Sequence, residues 1–255
     1  MGILSADTSR EIEKIQFQIL RSKGVPGRLS LLADSVLTSW ALVLAGAGRA
    51  RDRWLGFKSP VEYEEARTEM EPLKTPLLLA QIFDELGVEY VIGGSYASSI
   101  HGEPRSTRDC DFLVALASDQ LDSFEQKTNG LFYMSRVAAE EAIELNRCFN
   151  LIHLETGFKL DIFISEGRDF DRERLKRGQS VAVDGQSLRF SSAEDTILSK
   201  LEWYKQYPSE QQWRDILGIF LLQEDKLDLG YLKYWSRELG VSKKWAQAEK
   251  ALEDL

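Results

Sequence analysis

The chain has 255 residues, of which 43% are hydrophobic and 29% are charged, and its formal net charge is −9. This composition is typical of a globular protein of one or two domains and excludes an intrinsically disordered chain. The negative charge disfavours a broad electrostatic surface for nucleic acids, although a local basic cleft is compatible with it.

The expected compartment follows from the targeting patterns of the sequence. Its first residues show no basic stretch followed by an apolar one, so no signal peptide is expected. The longest mostly apolar run, residues 36–48, is too short to cross a bilayer. We therefore expect a cytoplasmic protein with no membrane partner.

The cysteines, histidines and tryptophans are given structural interpretations. Two cysteines provide no disulfide framework, and Cys110 and Cys148 both lie on predicted strands, where we expect buried small hydrophobes. His101 and His153 lack an accompanying serine or cysteine nucleophile, so we interpret both as local hydrogen-bonding residues. The tryptophans, such as Trp203, are interpreted as helix-packing core residues and not as base-stacking platforms.

Residues 1–75 are predicted to form an N-terminal helical extension. A helical repeat of apolar residues is broken at Gly24–Gly27, and a second helix follows from Arg28 to about Leu44. Ser59–Pro60 is typical of the start of a third helix.

Two features of this extension allow more than one interpretation. The basic run Arg49, Arg51 and Arg53 could contact phosphates, and a solvated helix end is the favoured interpretation. The apolar face of the second helix needs a partner, either the rest of the chain or another protomer of a homodimer. That face contains Leu32, Val36, Trp40 and Val43.

The segment Glu89–Leu116 is the most informative part of the sequence. A short apolar run, Tyr90–Ile92, predicts a buried strand, and Gly93 and Gly94 end it before a segment of small residues that begins with Ser95. A strand, glycines and then a helix bring a backbone close to a phosphate, because free N–H groups at the helix N-terminus point at the anion.

A loop with Arg105 and Thr107 leads from the glycines to a second predicted strand, residues 109–116. Side chains alternate across a strand, so Asp109 and Asp111 fall on one face. Two neighbouring carboxylates repel each other unless a cation lies between them. An oxygen-only pair of this kind suits Mg²⁺.

A third acid, Asp161, interrupts an otherwise apolar strand at residues 159–164. Its apolar neighbours share one face, so Asp161 lies on the other. If this strand pairs beside Asp109 and Asp111, all three carboxylates surround one or two metal ions. Two-metal sites of this kind drive in-line displacement at phosphorus.

Two hairpins and a helical C-terminal part complete the predicted elements. Residues 149–154 are expected to pair antiparallel with the strand of Asp161, and residues 179–183 to pair with 187–190 around an Asp-Gly turn. From Ser192 onward the sequence predicts only helices.

Two charged residues of these helices are candidates for a site. Lys200 lies at the edge of an apolar stripe, close enough to lean into a cleft. Asp215 lies opposite the apolar face of the next helix, where a solvated acid is expected. It can be functional only if that face lines a cleft.

Several of these residues carry a family resemblance. Gly94-Ser95, the segment Thr107–Asp111 and Asp161 resemble the signature of the DNA polymerase β-type nucleotidyltransferase superfamily. That signature is a Gly-Gly or Gly-Ser turn, an Asp-x-Asp pair about a dozen residues on, and a third Asp on a later strand. With Arg105 and Thr107 ahead of the pair, the pattern resembles the AbiEii-type toxin branch.

Residues 194–235 extend this resemblance to the helical end of the chain. They resemble the C-terminal part of AbiEii-like and related uncharacterised bacterial nucleotidyltransferases. In those proteins a lysine on one helix and an aspartate on the next are active-site residues, which correspond here to Lys200 and Asp215.

The resemblance implies an α+β nucleotidyltransferase fold. We expect a mixed, mostly antiparallel sheet, a C-terminal helical domain and an N-terminal helical extension. The predicted units are residues 1–75, the catalytic core at 76–191 and the helical domain at 192–255.

The resemblance also implies a Mg²⁺-dependent nucleotidyltransferase that moves a nucleoside monophosphate from a nucleoside triphosphate to an acceptor hydroxyl, with release of pyrophosphate. Asp109 and Asp111 would bind metal, and Asp161 would hold a second ion or act as base. The implied active-site residues also include Lys200 and Asp215, and the implied nucleotide-binding residues are Gly93, Gly94, Ser95, Arg105 and Thr107.

The acceptor and the biological role stay open at this point. Transfer RNA ends, a partner protein and a small hydroxylated antibiotic all suit this chemistry, and a toxin–antitoxin pair is one setting for it. The alternative function is a nucleotide-binding regulatory or antitoxin-like module without turnover. An intact set of three aspartates favours the enzyme, because binding alone does not need three metal-directed carboxylates.

Overall fold

The computed structural model describes residues 10–46, 73–107, 109–165, 167–183 and 185–253. The predicted third helix from Ser59–Pro60 and the basic run Arg49, Arg51 and Arg53 lie outside these residues. No helix in these ranges is long and apolar enough to cross a bilayer.

Ten α-helices and seven β-strands make up the described ranges. The helices are α1 (Arg10–Gly46), α2 (Lys74–Leu86), α3 (Gly94–His101), α4 (Leu121–Thr128), α5 (Arg136–Leu145), α6 (Asp169–Arg177), α7 (Ala193–Gln206), α8 (Glu210–Gln223), α9 (Leu229–Glu238) and α10 (Ser242–Glu253). The strands are β1 (Tyr90–Ile92), β2 (Asp109–Val114), β3 (Phe132–Met134), β4 (Cys148–His153), β5 (Lys159–Ile164), β6 (Gln179–Val183) and β7 (Gln186–Phe190).

The strands form one sheet in the order β3-β4-β5-β2-β1-β7-β6. The β2–β5 and β1–β7 pairings are parallel, and the other four are antiparallel. The predicted α+β class with a mixed, mostly antiparallel sheet is therefore confirmed, and so are the hairpins β4–β5 and β6–β7.

One face of the sheet is packed into the main core. Phe112 of β2 and Ile162 of β5 are fully buried there, in the same cluster as Phe83 of α2 and Phe124 of α4. The rings of Phe83 and Phe124 stack with centroids 5.4 Å apart. Because side chains alternate along β5, Asp161 lies on the other face, as predicted.

The C-terminal helices α7 to α10 pack around a second core, as the all-helical prediction for this part of the chain requires. Its centre contains Leu198, Leu201 and Ile216, and Trp245 of α10 packs against it. Phe170 of α6 belongs to the same cluster. Helix α6 therefore joins the sheet to the helical part and helps to form a cleft between them.

Helix α1 is bent at Gly24, whose φ of 63° is outside the helical range. The predicted break at Gly24–Gly27 is thus a bend between two helical halves. After the bend, Leu29, Leu32 and Val36 lie in the same core cluster as the sheet. The two described members of the predicted apolar face, Leu32 and Val36, therefore pack against the rest of the chain. The boundary at residue 75 stays a prediction.

A buried polar contact also fixes α1. Arg28 donates from Nε to the carbonyl oxygen of Ile100 in α3 at 2.5 Å, and from Nη1 to that of Leu20 at 3.1 Å. The other two members of the predicted face, Trp40 and Val43, lie outside the residues whose side chains the structure describes.

Three local features of the structure differ from the sequence prediction: the exposure of Cys148, strand β3 and helix α6. Cys110 is buried as expected, but Cys148 is exposed, because it lies at the start of β4 on the face that carries Asp161 and not on the core face. Strand β3 and helix α6 were not predicted. Strand β3 has only three residues, and α6 is rich in charged residues.

Replacing Leu32 tests the packing of α1. Leu32 is fully buried in the core of the sheet, so Leu32→Ala should lower the free energy of unfolding by about 2–5 kcal/mol. Ile19→Ala is the matched control, because Ile19 lies on the same helix and is 52% exposed. Urea unfolding of both variants gives the comparison, and equal losses would contradict the packing of α1 on the core.

Replacing His101 tests a buried contact at the end of α3. His101 Nε2 donates to the carbonyl oxygen of Ser191 at 2.7 Å, and burial lowers the pKa of His101 to about 4. Between pH 6.5 and 4 the unfolded chain binds a proton there that the folded chain does not. The contribution of His101 to the free energy of unfolding is therefore complete above pH 6.5 and decreases as the pH falls.

We expect this contribution to fall by about 2 kcal/mol between pH 7.5 and pH 5. His101→Gln keeps a donor but has no titrating group, so its free energy of unfolding should fall less over this range. Urea unfolding at the two pH values measures the difference. An equal fall in wild type and variant would show that His101 is not held neutral in the fold.

Candidate active site

The glycine turn after β1 brings the backbone against a carboxylate. Gly94 has a φ of 52°, and a Cβ atom added to it would overlap the side chain of Asp111. The N–H of Gly93 donates to the carbonyl oxygen of Asp111 at 2.8 Å. Only glycine satisfies both the positive φ and this approach, so the first residue of α3 lies directly beside the Asp111 carboxylate.

The parallel pairing of β2 with β5 brings the acids together. Asp111 lies opposite Asp161, and Asp109 lies opposite Lys159. Burial, Asp109 and Asp161 raise the pKa of Asp111 to about 6, while Lys200 and Lys159 act in the opposite direction. The register of β2 and β5 therefore places the three carboxylates on one face of the sheet, as predicted.

The two outer carboxylates have protein partners. Thr107 Oγ1 donates to Asp109 Oδ1 at 2.9 Å. Lys159 Nζ donates to Asp161 Oδ2 at 2.8 Å, and Asn150 donates to its other oxygen. Thr107, whose predicted role in nucleotide binding stays a prediction, thus contacts and orients Asp109.

The chemistry of these three acids fits a divalent cation. Burial and the two neighbouring carboxylates raise the pKa of Asp111, so a cation beside it would be favourable, and the donor atoms of all three acids are oxygens, which Mg²⁺ prefers. Within the described ranges, however, no group of three or more His, Cys, Asp or Glu side chains is placed to hold a metal ion.

Across from the acids lies a buried ion-pair network centred on Asp215. Lys200 Nζ donates to Asp215 Oδ2 at 2.7 Å, and Arg105 Nε donates to Oδ1 at 3.0 Å. Gln211 Nε2 donates to Oδ1 at 3.0 Å. Arg105 Nη2 also donates to Ser95 Oγ at 2.6 Å, so the network reaches the first turn of α3.

The expectation that Asp215 is a solvated acid is wrong, because it is only 7% exposed. Helix α8 is buried on two sides: Ile216 and Phe220 belong to the C-terminal core, and Ile219 meets Gly102 at the end of α3. Burial would raise the pKa of Asp215, but Lys200 and Arg105 hold it below its usual value. Asp215 is thus an ionised anchor for two cations.

The acids and the network border a cleft of about 660 Å³ between the sheet and α6 and α7. Six of the predicted site residues line it: Gly93, Gly94, Ser95, Arg105, Asp111 and Lys200. The other four predicted residues are not among the lining residues, and each is hydrogen-bonded to another member of the set or to a neighbour; they are Thr107, Asp109, Asp161 and Asp215. Asp215 therefore positions other side chains.

Helix α6 contributes charged residues that were not predicted for the site. Arg168, Asp171 and Arg174 line the cleft, and Asp171 is buried with two hydrogen bonds from Arg168, 3.1 and 3.2 Å long. The sequence of α6 has few apolar residues, so it resembles a solvated loop. Its acidic first turn and basic last turn are the pattern that indicates a helix here.

Trp203 also differs from its prediction. It was expected in the core, but it is 48% exposed and lines the cleft. Its ring contacts Phe163 edge-on with centroids 6.3 Å apart, and Tyr207 lies beside it at 5.8 Å. Trp235, in contrast, is buried as predicted.

Comparison with known proteins gives weak likenesses. No protein-family profile matches the sequence, and no curated protein matches it. A nucleotidyltransferase-like antigenic protein from Paracoccidioides brasiliensis is 17% identical with a TM-score of 0.45, over 71% of this chain and 92% of that one. ANT(2″)-Ia in complex with adenylyl-2″-tobramycin is 14% identical with a TM-score of 0.45, over 68% and 98% of the two chains.

The lincomycin-bound lincosamide antibiotic adenylyltransferase LnuA is 16% identical with a TM-score of 0.40, over 56% of this chain and 93% of that one. Likenesses at these scores do not carry a functional argument. The function is therefore argued from the residues of the cleft.

Replacing Asp215 tests the ion-pair network. Asp215→Asn removes the buried negative charge and leaves Lys200 and Arg105 without their carboxylate, so it should lower the free energy of unfolding by about 3–5 kcal/mol. Glu210→Gln is the control, because Glu210 is an exposed acid on the same helix. Thermal and urea unfolding measure both, and a loss no larger than in the control would contradict the anchor role.

Proposed function

We propose that this protein is a Mg²⁺-dependent nucleotidyltransferase, which transfers a nucleoside monophosphate from a nucleoside triphosphate to a hydroxyl group of an acceptor. The observation that carries the proposal is the charge arrangement of one cleft. Asp111, paired with Asp161, forms one wall beside Gly94, and Lys200 and Arg105 lie on the other. This arrangement suits a metal-bound triphosphate.

The residues of the glycine turn and the network would hold the phosphates. The N-terminus of α3 at Gly94 and Ser95 presents backbone N–H groups, which favour an anion. Lys200 and Arg105 offset the negative charge of the triphosphate, and Asp215 holds both of them at the cleft wall. The leaving pyrophosphate is stabilised by the same two cations.

In the transfer step, the acceptor hydroxyl oxygen forms a bond to the α-phosphorus. The bond from this phosphorus to the bridging oxygen of the β-phosphate breaks, and pyrophosphate leaves with that electron pair. Asp161 accepts the hydroxyl proton, which is the role of a general base. Lys159 keeps the Asp161 carboxylate oriented at 2.8 Å, and Thr107 does the same for Asp109 at 2.9 Å.

The carboxylates of Asp109, Asp111 and Asp161 would hold the magnesium. When bound, the ion would neutralise phosphate charge and increase the acidity of the attacking hydroxyl. The proposed superfamily is that of the DNA polymerase β-type nucleotidyltransferases, with the AbiEii-type branch as the finer proposal. The order of the glycine turn, the Asp-x-Asp pair and the third Asp supports the superfamily, and Arg105 and Thr107 ahead of the pair support the branch.

The acceptor is proposed only by class: an RNA end, a protein side chain or a small hydroxylated molecule. The cleft volume of about 660 Å³ is in the range of small-ligand sites, so a nucleotide can occupy it. A cytoplasmic location and membership in a toxin–antitoxin pair are parts of the same proposal, as is a homodimer.

Replacing an acid of the sheet tests this function. Asp111→Asn should reduce transfer of label from α-³²P nucleoside triphosphates to components of a cell extract by at least about a hundredfold, because the charge opposite Asp161 is lost. Asp122→Asn is the control, since Asp122 is an exposed acid of α4. Separation of RNA, protein and small molecules identifies the acceptor class.

Two outcomes decide against the proposed enzyme and its site. Label transferred equally by wild type and Asp111→Asn would place the chemistry elsewhere. Nucleotide bound by the wild type but transferred to no component of the extract would support the regulatory or antitoxin-like module instead.

A further inference from the structure

Helix α6 carries Arg174 to the glycine turn of the cleft. Its Nη2 atom lies 3.5 Å from the position that a Cβ atom would take on Gly93. Ser191, which follows β7, approaches the same position, with its Oγ atom 3.8 Å away. Gly93 and Ser191 are neighbours because β1 and β7 are parallel, so that their carboxyl ends lie at one edge of the sheet.

Each of these side chains has one polar atom that is buried without a hydrogen-bond partner within the described ranges. Ser191 is 1% exposed, and its Oγ is buried without a partner there. The Nε atom of Arg174 is likewise buried without a partner among the described residues. A buried polar group without a partner is costly, so a ligand with several acceptor oxygens would satisfy both.

The charge of Arg174 is only partly balanced. Asp171 Oδ1 lies 3.6 Å from its Nη1 atom, and the same carboxylate accepts two hydrogen bonds from Arg168. Burial lowers the pKa of Arg174, and Asp171, Asp195 and Glu202 offset part of this effect. The N-terminus of α3, beside which Arg174 lies, adds partial positive charge. Two positive groups side by side favour an anion between them.

We propose that Arg174 and Ser191, together with the N-terminus of α3, form the subsite for the terminal phosphates of the nucleotide. The identity of this anion rests on the proposed function. Arg174 presents a forked donor that can contact two phosphate oxygens, whereas the lysine Lys200 acts as a point charge. Arg174 thus adds a two-point contact to the terminal phosphates.

Gly93 offers a test that leaves the fold in place. A methyl group at this position would make ordinary contacts with Arg174 and Ser191, 3.5 and 3.8 Å away, and it would occupy the space between them. Gly93→Ala should therefore fold normally and still block the subsite. Arg174→Gln removes the positive charge, and Arg174→Lys keeps the charge but removes the forked guanidinium donor.

The probe is inorganic tripolyphosphate, which has no base or ribose, titrated into the full chain by calorimetry. We expect Arg174→Gln and Gly93→Ala to weaken its binding at least about tenfold, and Arg174→Lys to retain part of it. Arg172→Gln is the matched control: Arg172 lies on the same helix, is 56% exposed and pairs with Asp169. It should bind the probe like the wild type.

The outcomes separate this proposal from the transfer reaction. Absence of tripolyphosphate binding to the wild type, or equal binding by wild type, Arg174→Gln and Gly93→Ala, would overturn the subsite even if nucleotide transfer is observed. Arg174-dependent binding of the probe supports the subsite even if no acceptor is ever labelled. Circular dichroism melting of Gly93→Ala confirms that a loss of binding is not a loss of fold.

Discussion

The buried carboxylate of Asp215 is the interaction on which the cleft depends. Two neighbouring helices and a loop far away in the sequence meet at it, because Lys200 of α7, Gln211 of α8 and Arg105 of the α3–β2 loop all donate to its oxygens. A buried charge destabilises a fold unless it has such partners. The same contacts therefore dock the helical part on the sheet and place two cations across the cleft from Asp111.

The carboxylates of the opposite wall lie on one face of the sheet because side chains alternate along each strand and because of the register in which β2 and β5 pair. Strands β2 and β5 are parallel, so Asp111 and Asp161 lie side by side while their neighbours Phe112 and Ile162 fill the core. The result is a cleft with carboxylates on one side and cations on the other. A ligand that carries both a divalent cation and phosphate groups complements both walls, which is why the geometry favours a metal–nucleotide.

The sequence predicts those features that depend on local periodicity. The two-residue alternation places Asp161 opposite the core, and the Asp-Gly turn identifies one hairpin. Asp215 was misplaced because α8 has two buried faces, and its second neighbour, α3, is far away in the sequence. Helix α6 has few apolar residues besides Phe170 and Leu175, so its packing is decided by tertiary contacts. Whether the Trp203 side chain is buried also depends on tertiary contacts.

The central claim is that the three acids and the cations opposite them form one site for a metal–nucleotide. Electron paramagnetic resonance of Mn²⁺ in the presence of α,β-methylene nucleoside triphosphates tests it directly. We expect the full chain to bind Mn²⁺ beyond the amount held by the free nucleotide, Mg²⁺ to displace it, and Asp111→Asn to abolish this extra binding. Equal Mn²⁺ binding by wild type and Asp111→Asn would contradict the account.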